Sequence, residues 1–427
     1  MSREKKRSAA EAAPTDSSQS SKPYKNADIC DVTVIGGGLA GSVASIHLAR
    51  AGFKVVLLEK ERASLDKVCG EFLSGEAIPL LKEVGLDPKK LGAEEITSFR
   101  LHGPRLSIER KLPIKSIGIS RKRLDEKLLE CAEAAGVDVR RGVTAKEIID
   151  GLESPSGSIL LETSEGELRS RRLVVATGKT DFKSVNDREA RDSGYVGFKM
   201  HLRLKPSVLK AMKKHCDLFV FDGGHGGISP IEGDLANFCF MIERKALKDI
   251  GTDWESLASH IAKNCWAASH YLDGAEPQFK QLVTVANVPY GFVRRTPPPA
   301  GLFFVGDQMA TIPSLTGDGM TIALLTGKLA ADAIIERVAG KARLRFAPQA
   351  SVNYQRAMRS RLRPQVETGF YLHRLFKKPL FVDVSIRATR RIPALLDAVI
   401  LATRCRIDVP PSTRLSFRKS GLLPARS

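Results

Sequence analysis

A glycine-rich turn that joins an apolar strand to a helix constrains this chain more than any other feature of its sequence. Residues 31–35 (DVTVI) have the β-branched, apolar composition of a buried strand, and the turn GGGLAG follows at 36–41. Residues 39–51 then predict a helix, and residues 53–58 predict a second buried strand. A strand, a helix and a strand within about 30 residues indicate two parallel strands joined by a right-handed crossover.

The turn also has the spacing of a dinucleotide-binding site. Gly36, Gly38 and Gly41 match G-x-G-x-x-G, in which the first glycine permits a tight turn, the second lets a pyrophosphate approach and the third lets helix and strand pack closely. The free N–H groups at the start of the helix favour the phosphate charge. Glu59 ends the second strand, where a carboxylate accepts hydrogen bonds from ribose hydroxyls and disfavours a 2′-phosphate. This motif alone predicts a dinucleotide and leaves FAD and NAD open.

A second glycine-rich segment favours FAD. A predicted strand at 302–305 leads into Gly306 and Asp307, and Gly317, Gly319 and Met320 open a predicted helix at 316–336. This arrangement resembles the second FAD signature of flavoproteins built like p-hydroxybenzoate hydroxylase. The resemblance implies that Asp307 binds the ribityl chain and that the N–H groups of the helix start point at the flavin pyrimidine edge. Such a helix start stabilises the negative charge that reduced flavin carries there.

Two further segments extend the resemblance. Residues 119–136 are similar to the R-x-x-L-D-x-x-L helix of that superfamily, which implies that Arg121 contacts the cofactor. Residues 67–74 (KVCGEFLS) place the chain nearest the geranylgeranyl reductase-like group, in which a Pro-Cys-Gly run lies near the flavin. Here Cys69 is kept, whereas Val68 replaces the proline and Glu71 replaces a glycine. The resemblance makes Cys69 a candidate catalytic-site residue with a steric role, and the alternative is an ordinary small buried side chain.

A second layer is predicted between about residues 195 and 288. Short apolar runs at 195–202, 218–221, 238–242 and 282–285, with a helix near 254–265, predict a mainly antiparallel sheet inserted into the first fold. His225 is a second catalytic candidate, because an unperturbed imidazole can donate a proton near neutral pH; a turn residue is the favoured interpretation. Six side chains are candidate walls of an apolar substrate pocket, with ordinary core positions as the alternative: Phe198, Met200, Phe219, Phe221, Phe238 and Phe240.

These segments together predict an α/β chain with a doubly wound, Rossmann-like FAD-binding domain, an inserted mainly antiparallel β-sheet substrate domain and a helical C-terminal region. The FAD-binding domain is expected at 28–103, 121–190 and 288–340. The substrate domain is expected at 104–120 and 191–287. Residues 1–27 predict a disordered tail that lacks the apolar centre of a secretory signal, and residues 341–427 form a basic helical region.

The positive charge is concentrated in that C-terminal region. The net charge of the chain is +19, and residues 340–427 hold 19 Lys and Arg against 4 Asp and Glu, a net of +15. Such a region suits an anionic membrane surface, nucleic acid or an acidic partner, with a solvated helical face as the alternative. Nucleic acid is disfavoured, because the region has few aromatic residues for stacking and no RNA-binding motif.

Cysteine and histidine usage indicates the compartment. Seven cysteines without a C-x-x-C pair, and eight histidines without a spacing such as H-E-x-x-H, argue against a disulfide framework and against a bound metal. This usage fits a reducing cytosol, and no apolar run reaches the roughly 18 residues that span a bilayer. We therefore expect a cytoplasmic protein that lies at the membrane periphery if its basic region binds lipid.

The resemblance implies an FAD-dependent oxidoreductase and leaves three functions open. The first expectation is a monooxygenase (hydroxylase) acting on a lipophilic polyketide-like or aromatic substrate in a water-poor cavity. The second is a flavin-dependent reductase of isoprenoid-type carbon–carbon double bonds, with a nearby acid as the proton donor. The third is a flavoprotein that binds nucleic acid through its basic tail. Halogenation is disfavoured, because the W-x-W-x-I-P motif of flavin halogenases is absent. Without a second G-x-G-x-x-G, electrons are expected from transiently bound NAD(P)H or from a separate reductase.

Overall fold

The computed structural model describes residues 29–405 apart from 152, 154–156, 186–192, 287–289, 339–340 and 345–348, so the tail predicted at 1–27 lies outside the described residues. The strands are β1 (Cys30–Ile35), β2 (Val55–Glu59), β3 (Phe72–Leu73), β4 (Glu94–His102), β5 (Ser107–Gly118), β6 (Asp138–Arg141), β7 (Ala145–Asp150), β8 (Ile159–Thr163), β9 (Gly166–Val175), β10 (Tyr195–Arg203), β11 (Lys214–Phe221), β12 (Gly224–Ile231), β13 (Leu235–Glu243), β14 (Glu276–Pro277), β15 (Val283–Val285), β16 (Phe292–Val293), β17 (Leu302–Phe304), β18 (Ala310–Thr311), β19 (Ile335–Val338) and β20 (Lys341–Leu344). The α-helices are α1 (Leu39–Arg50), α2 (Ile78–Glu83), α3 (Arg121–Ala134), α4 (Pro206–Met212), α5 (Leu247–Ile250), α6 (Trp254–Asn264), α7 (Trp266–Leu272), α8 (Gly319–Ile334), α9 (Ala350–Phe376), α10 (Pro379–Arg391) and α11 (Pro393–Thr403).

The first sheet carries the predicted strand–helix–strand unit. Its strands lie in the order β6-β2-β1-β9-β8-β7, and β17 pairs with the second half of β9. The pairs β6–β2, β2–β1, β1–β9 and β9–β17 are parallel, whereas β7, β8 and the first half of β9 form an antiparallel extension. Strands β1, β2 and β17 are almost wholly buried, as expected for a sheet covered on both faces, whereas the edge strand β6 is partly exposed. This arrangement confirms the Rossmann-like α/β domain.

Two helices meet unusually closely above this sheet. A Cβ atom added to Gly327 of α8 would lie 2.3 Å from the backbone oxygen of Ala40 in α1, so only glycine permits this separation. The main apolar core is built around this contact and includes buried side chains of β1, α1, α3, α8 and α9. The middle of α8 is thereby fixed beside the start of α1.

The second sheet is mainly antiparallel, as predicted, and has the order β14-β10-β13-β12-β11-β4-β5-β3, with β15 also paired to β10. The expected domain boundary at residue 103 lies too late in the chain, because strand β4 belongs to the second sheet. This strand pairs with β5 and β11 in this second sheet, because a long antiparallel ladder with β5 satisfies its backbone groups there. Helices α4, α6 and α7 cover one face of the sheet through a separate apolar core.

The C-terminal helices join the two sheets. The Tyr354 hydroxyl of α9 lies 3.1 Å from the carbonyl oxygen of Phe304 and 3.0 Å from that of Thr326, which attaches α9 to the FAD-binding domain. Helices α10 and α11 pack their buried side chains against β4, β5 and β11. Among the described residues, we find no helix whose length and apolar content would let it cross a lipid bilayer.

Candidate active site

The glycine turn after β1 has the geometry that its spacing predicts. Gly36 has φ +104°, and a Cβ atom there would lie 2.5 Å from the backbone oxygen of Ala176. A Cβ atom on Gly41 would lie 1.9 Å from the backbone oxygen of Gly36, so neither position accepts a side chain. At Gly38 the nearest neighbour is the Arg121 guanidinium, 3.7 Å away. The turn is therefore tightly packed at Gly36 and Gly41, where only glycine fits, and open at Gly38, where a ligand would approach.

Glu59 lies at the end of β2 beside this turn, as predicted. Its Oε2 accepts a hydrogen bond of 2.8 Å from the Gly37 N–H, and its Oε1 accepts one of 3.0 Å from the Glu61 N–H. These bonds fix the carboxylate at the rim of the turn. Its contact with a ribose stays a prediction.

The second predicted motif lies next to the first, since a Cβ atom on Gly306 would stand 3.3 Å from Cβ of Ala40 in α1. Gly306 and Asp307 begin a short 3₁₀ helix after β17, and the Gly306 N–H donates to Thr326 Oγ1 over 2.8 Å. Helix α8 begins at Gly319, and no heavy atom lies within 4 Å of the place where a Cβ atom of Gly319 would stand. Neither α1 nor α8 has a side-chain N-cap. Two uncapped helix starts therefore provide N–H donors beside one space.

A basic wall lies next to the first helix start. Arg121 opens α3 and binds Asp125 through Nε and Nη2, each at 2.9 Å, while Lys67 Nζ lies 2.8 Å from the same carboxylate. Burial opposes the charge, but Asp125 and Cys69 hold the pKa of the Arg121 guanidinium above its usual value. Burial would raise the pKa of Asp125, but Arg121 and Lys67 lower it overall. The paired charges orient both cations at the cavity surface, where they suit a phosphate.

One cavity of about 950 Å³ collects these features. It is bordered by every predicted cofactor-binding residue except Gly41, which packs beneath the turn: Gly36, Gly38, Glu59, Arg121, Gly306, Asp307, Gly317, Gly319 and Met320. Open glycines, uncapped helix starts and a basic wall are the surroundings that FAD requires. The donor set therefore fits the cofactor that the sequence predicts.

Cys69 and His225 also border the cavity. Cys69 is half-buried, and its sulfur accepts a 3.4 Å hydrogen bond from the Glu71 N–H. His225 lies in strand β12, so its interpretation as a turn residue is wrong; the glycines around it are needed because a Cβ atom on Gly226 would lie 2.7 Å from Cβ of Phe240. Burial, with help from His373 and Lys377, lowers the pKa of His225 to about 3. The ring of His225 is therefore neutral near pH 7 and does not carry the proton for which the sequence made it a catalytic candidate. A catalytic role for His225 stays a prediction.

The predicted pocket walls point the other way. Phe198, Met200, Phe219, Phe221, Phe238 and Phe240 are all in the core beneath α6 and α7. Side chains alternate between the two faces of a strand, so the neighbouring positions face the cavity. Cys239, Met241 and Leu218 are among its apolar lining. The period-two pattern was correct, but the sequence could not tell which face was covered by helices.

A buried polar cluster was missed at the sequence level. Glu71 replaces a glycine and keeps a left-handed backbone with φ +53°. Its carboxylate accepts hydrogen bonds from the Arg121 N–H (2.7 Å), from Lys199 Nζ (2.6 Å) and from His201 Nε2 (2.7 Å). Lys199 also binds Asp66 at 2.9 Å. Asp66, Glu71 and His201 are close enough to share a metal ion, but the Lys199 ammonium already bonds both carboxylates. The replacement of a glycine by Glu71 was the one feature of the sequence that could have pointed to this cluster.

Asp318, between the two glycines of the second motif, was also missed. The carboxylate is completely buried and accepts hydrogen bonds from Ser74 Oγ (2.7 Å), from Gln365 Nε2 (2.6 Å) and from the Cys405 N–H. It therefore links the start of α8 to α9 and to Cys405, two residues after the end of α11. No local pattern of residues indicated these distant partners.

The architecture and the cavity together define a flavoprotein oxidoreductase. The FAD binding domain model matches residues 29–345, and the chain belongs to that family of FAD-dependent oxidoreductases.

The known relatives include reductases. The chain is 26% identical over 326 residues to menaquinone reductase of Mycobacterium tuberculosis, covering 73% of this chain and 78% of that protein. It is 28% identical over 332 residues to digeranylgeranylglycerophospholipid reductase 1 of Methanopyrus kandleri, covering 72% and 81%. The structure of the flavin-dependent brominase Bmp2 superposes with a TM-score of 0.71 at 19% identity, covering 88% of this chain and 94% of that one. That last similarity supports the fold alone.

Proposed function

We propose that this protein reduces carbon–carbon double bonds of an isoprenoid lipid. The sequence alone favoured a monooxygenase over a double-bond reductase. Two observations favour the reductase: the geranylgeranyl reductase-like segment around Cys69, and relatives whose names denote reduction of a quinone and of a geranylgeranyl lipid. Bound FAD, once reduced by NAD(P)H or another external donor, would supply the hydride, and the protein must hold the substrate and provide a proton.

The observation that carries the proposal is the course of the cavity. From the cofactor-binding glycines it continues between the second sheet and the C-terminal helices, where Leu101, Leu112, Phe376 and Ile400 line it. A space of this apolar character suits a hydrocarbon chain, because burying it there removes apolar surface from water. Most of the lining at the far end is apolar, and its polar members are Asp217, Ser385, Thr389, Thr403 and Arg404.

Three polar side chains border the cavity between its two ends. The Tyr290 hydroxyl lies 2.8 Å from Ser314 Oγ, which in turn lies 3.4 Å from His225 Nε2. Burial raises the pKa of Tyr290 above its usual value, so its hydroxyl carries a proton at neutral pH, as an unperturbed tyrosine also would. Tyr290 is therefore the residue that we propose as the proton donor, with Ser314 holding the hydroxyl in place.

The test is anaerobic turnover of the FAD-loaded protein with NADH, NADPH or dithionite and a geranylgeranyl lipid. We expect a product with fewer double bonds, detected by mass spectrometry, without oxygen. Tyr290→Phe should lower the turnover at least tenfold at unchanged FAD content. The matched control is Tyr271→Phe, which changes a buried tyrosine outside the cavity lining. Unchanged substrate in every reductant would contradict the proposal.

Oxygenation of a lipophilic substrate is the second candidate. It is favoured by the same apolar enclosure, because excluding water protects an oxygenating flavin. It would show as a product that gains one oxygen atom and forms only in air. The two activities are thus separated by the mass of the product and by its dependence on oxygen.

A further inference from the structure

We propose that the outer face of helices α10 and α11 is a lipid-binding surface that seats the protein on an anionic bilayer, with the mouth of the cavity against the lipid. The inference deepens and rests on the proposed function, because it names the phase from which an isoprenoid substrate would enter. The surface itself can be tested without catalysis.

The first observation is a concentration of exposed apolar side chains. Nine of the thirteen large apolar side chains that are exposed in the described part of the chain lie between residues 371 and 401. They form what we call the apolar patch: Tyr371, Leu375, Leu380, Phe381, Val384, Ile392, Leu395, Val399 and Leu401. Leu380 and Val384 are one helical turn apart in α10, as are Leu395 and Val399 in α11. A contiguous patch of this kind marks a contact surface.

The second observation is the charge around the patch. Six exposed basic side chains accompany it: Arg374, Lys377, Lys378, Arg387, Arg390 and Arg391. The two acids of the same segment are engaged elsewhere. Asp383 is buried and accepts a 3.1 Å hydrogen bond from the Leu106 N–H, and Asp397 pairs with Arg110 at 3.2 Å. The surface around the patch is therefore positive, which matches anionic lipid headgroups.

The third observation is that the cavity reaches this patch. Leu375, Leu395 and Val399 belong both to the exposed patch and to the cavity lining. Deeper residues of the same helices, including Phe376, Ile386 and Leu396, line the cavity behind them. The helices thus present apolar side chains on both sides, and a hydrocarbon chain could pass from a bilayer into the cavity without crossing water.

A bilayer fits these observations better than the other possible occupants. A second copy of this chain would bring the same six cations together, and like charges in a shared interface repel. Nucleic acid would match the charge but would leave the apolar centre of the patch against a polar backbone. An anionic bilayer matches the apolar patch with acyl chains and the basic rim with headgroups.

The test is co-flotation of the full-length FAD-loaded protein with vesicles of phosphatidylcholine alone or mixed with phosphatidylglycerol. We expect binding to the mixed vesicles that weakens as salt is raised. Leu380→Ser with Val384→Ser should lower the partition coefficient at least tenfold, since neither side chain lines the cavity. Arg374→Gln, Arg387→Gln and Arg391→Gln together should lower it roughly 100-fold, because each basic residue near anionic lipid contributes about fivefold.

Matched controls change the same residue types away from the patch. Ile29→Ser with Ile149→Ser removes two exposed apolar side chains, and Lys82→Gln, Lys210→Gln and Lys248→Gln remove three exposed cations. These variants should bind the mixed vesicles as the parent protein does. The proposal is overturned if the parent fails to float, if the patch variants float unchanged, or if Leu380→Ser with Val384→Ser instead converts a dimer to a monomer in sedimentation. Vesicle binding with no double-bond reduction would reject the proposed function and keep the surface.

Discussion

The ammonium of Lys199 lies 2.6 Å from Oε1 of Glu71, and both side chains are completely excluded from solvent. Burial disfavours the charge of Lys199, but Glu71 and Asp66 outweigh it and raise the pKa of its ammonium. The pair joins a strand of the second sheet to the segment that carries Cys69. The ion pair therefore ties β10 to the chain segment that leads into β3, at the far edge of the same sheet.

Removing the charge of Glu71 should destabilise the folded protein. We expect Glu71→Gln to lower the free energy of unfolding by about 3 kcal/mol, because it leaves a buried ammonium with one carboxylate partner. Glu95→Gln is the control, since its pair with Lys115 is exposed and such pairs contribute less than about 1 kcal/mol. Urea denaturation measures both variants. Equal stabilities of Glu71→Gln and Glu95→Gln would contradict this account of the cluster.

Substitutions at two glycines of the cofactor site should distinguish an effect on FAD binding from an effect on folding. Gly319→Ala should keep the stability of the apoprotein, because the added methyl meets nothing in the protein, and should weaken FAD binding at least tenfold. Gly41→Ala should reduce both, since its Cβ atom would collide with Gly36. Denaturation of the apoprotein and titration with FAD, followed by quenching of flavin fluorescence, give the two readouts. An FAD affinity of Gly319→Ala equal to that of the parent would place the cofactor elsewhere.

The cation at the start of α3 should contribute to FAD affinity. Arg121→Gln is expected to weaken FAD binding about tenfold, corresponding to about 1.4 kcal/mol, and to reduce its salt dependence. Arg363→Gln is the control, because Arg363 pairs with Glu367 on the exposed side of α9. Fluorescence titration at two salt concentrations measures both variants. An unchanged affinity in Arg121→Gln would show that the guanidinium serves only to pair with Asp125.

Stability should fall as the solution is acidified below the ordinary pKa of histidine. Burial and Lys377 lower the pKa of His373 to about 4, and burial with His373 and Lys377 lowers that of His225 to about 3. Between these values and about 6.5 the unfolded chain binds protons that the folded chain does not, so the free energy of unfolding decreases as pH decreases. From pH 7 to about pH 5 the loss should be about 2 kcal/mol for each histidine.

Urea titrations at several pH values measure this loss. The variant with His225→Asn and His373→Asn should show a flatter pH profile over the same interval. His270→Asn changes an exposed histidine and should keep the slope of the parent. A double variant with the slope of the parent would mean that neither ring stays neutral in the folded protein.

Local patterns were sufficient to predict the cofactor half of the fold. The runs at 31–35, 39–51 and 121–135 and the hairpin at 159–175 correspond closely to observed elements, because apolar periodicity and glycine placement decide them within a few residues. The same holds for the glycine turns, whose required backbone conformations are local. Nine of the ten predicted cofactor-binding residues border one cavity for that reason.

Features that depend on residues far apart in the chain could not be predicted from such local patterns. Strand β4 has the composition of either sheet, and only its partners β5 and β11 assign it to the second. The choice of face for Phe238 and Phe240 depends on which side helices α6 and α7 cover. Strand β12 was hidden because its glycines, required by the neighbouring Phe240, give it the appearance of a turn.

The hydrogen bonds of Asp318 have a consequence for how the molecule is assembled during synthesis. Its partners at Gln365 and Cys405 leave the ribosome well after the glycine turn and α8 have done so. Until they arrive, this buried carboxylate lacks two of its donors, and the second helix start cannot be fixed in its final orientation. A nascent chain should therefore acquire its cofactor late, once nearly all of the described polypeptide has emerged.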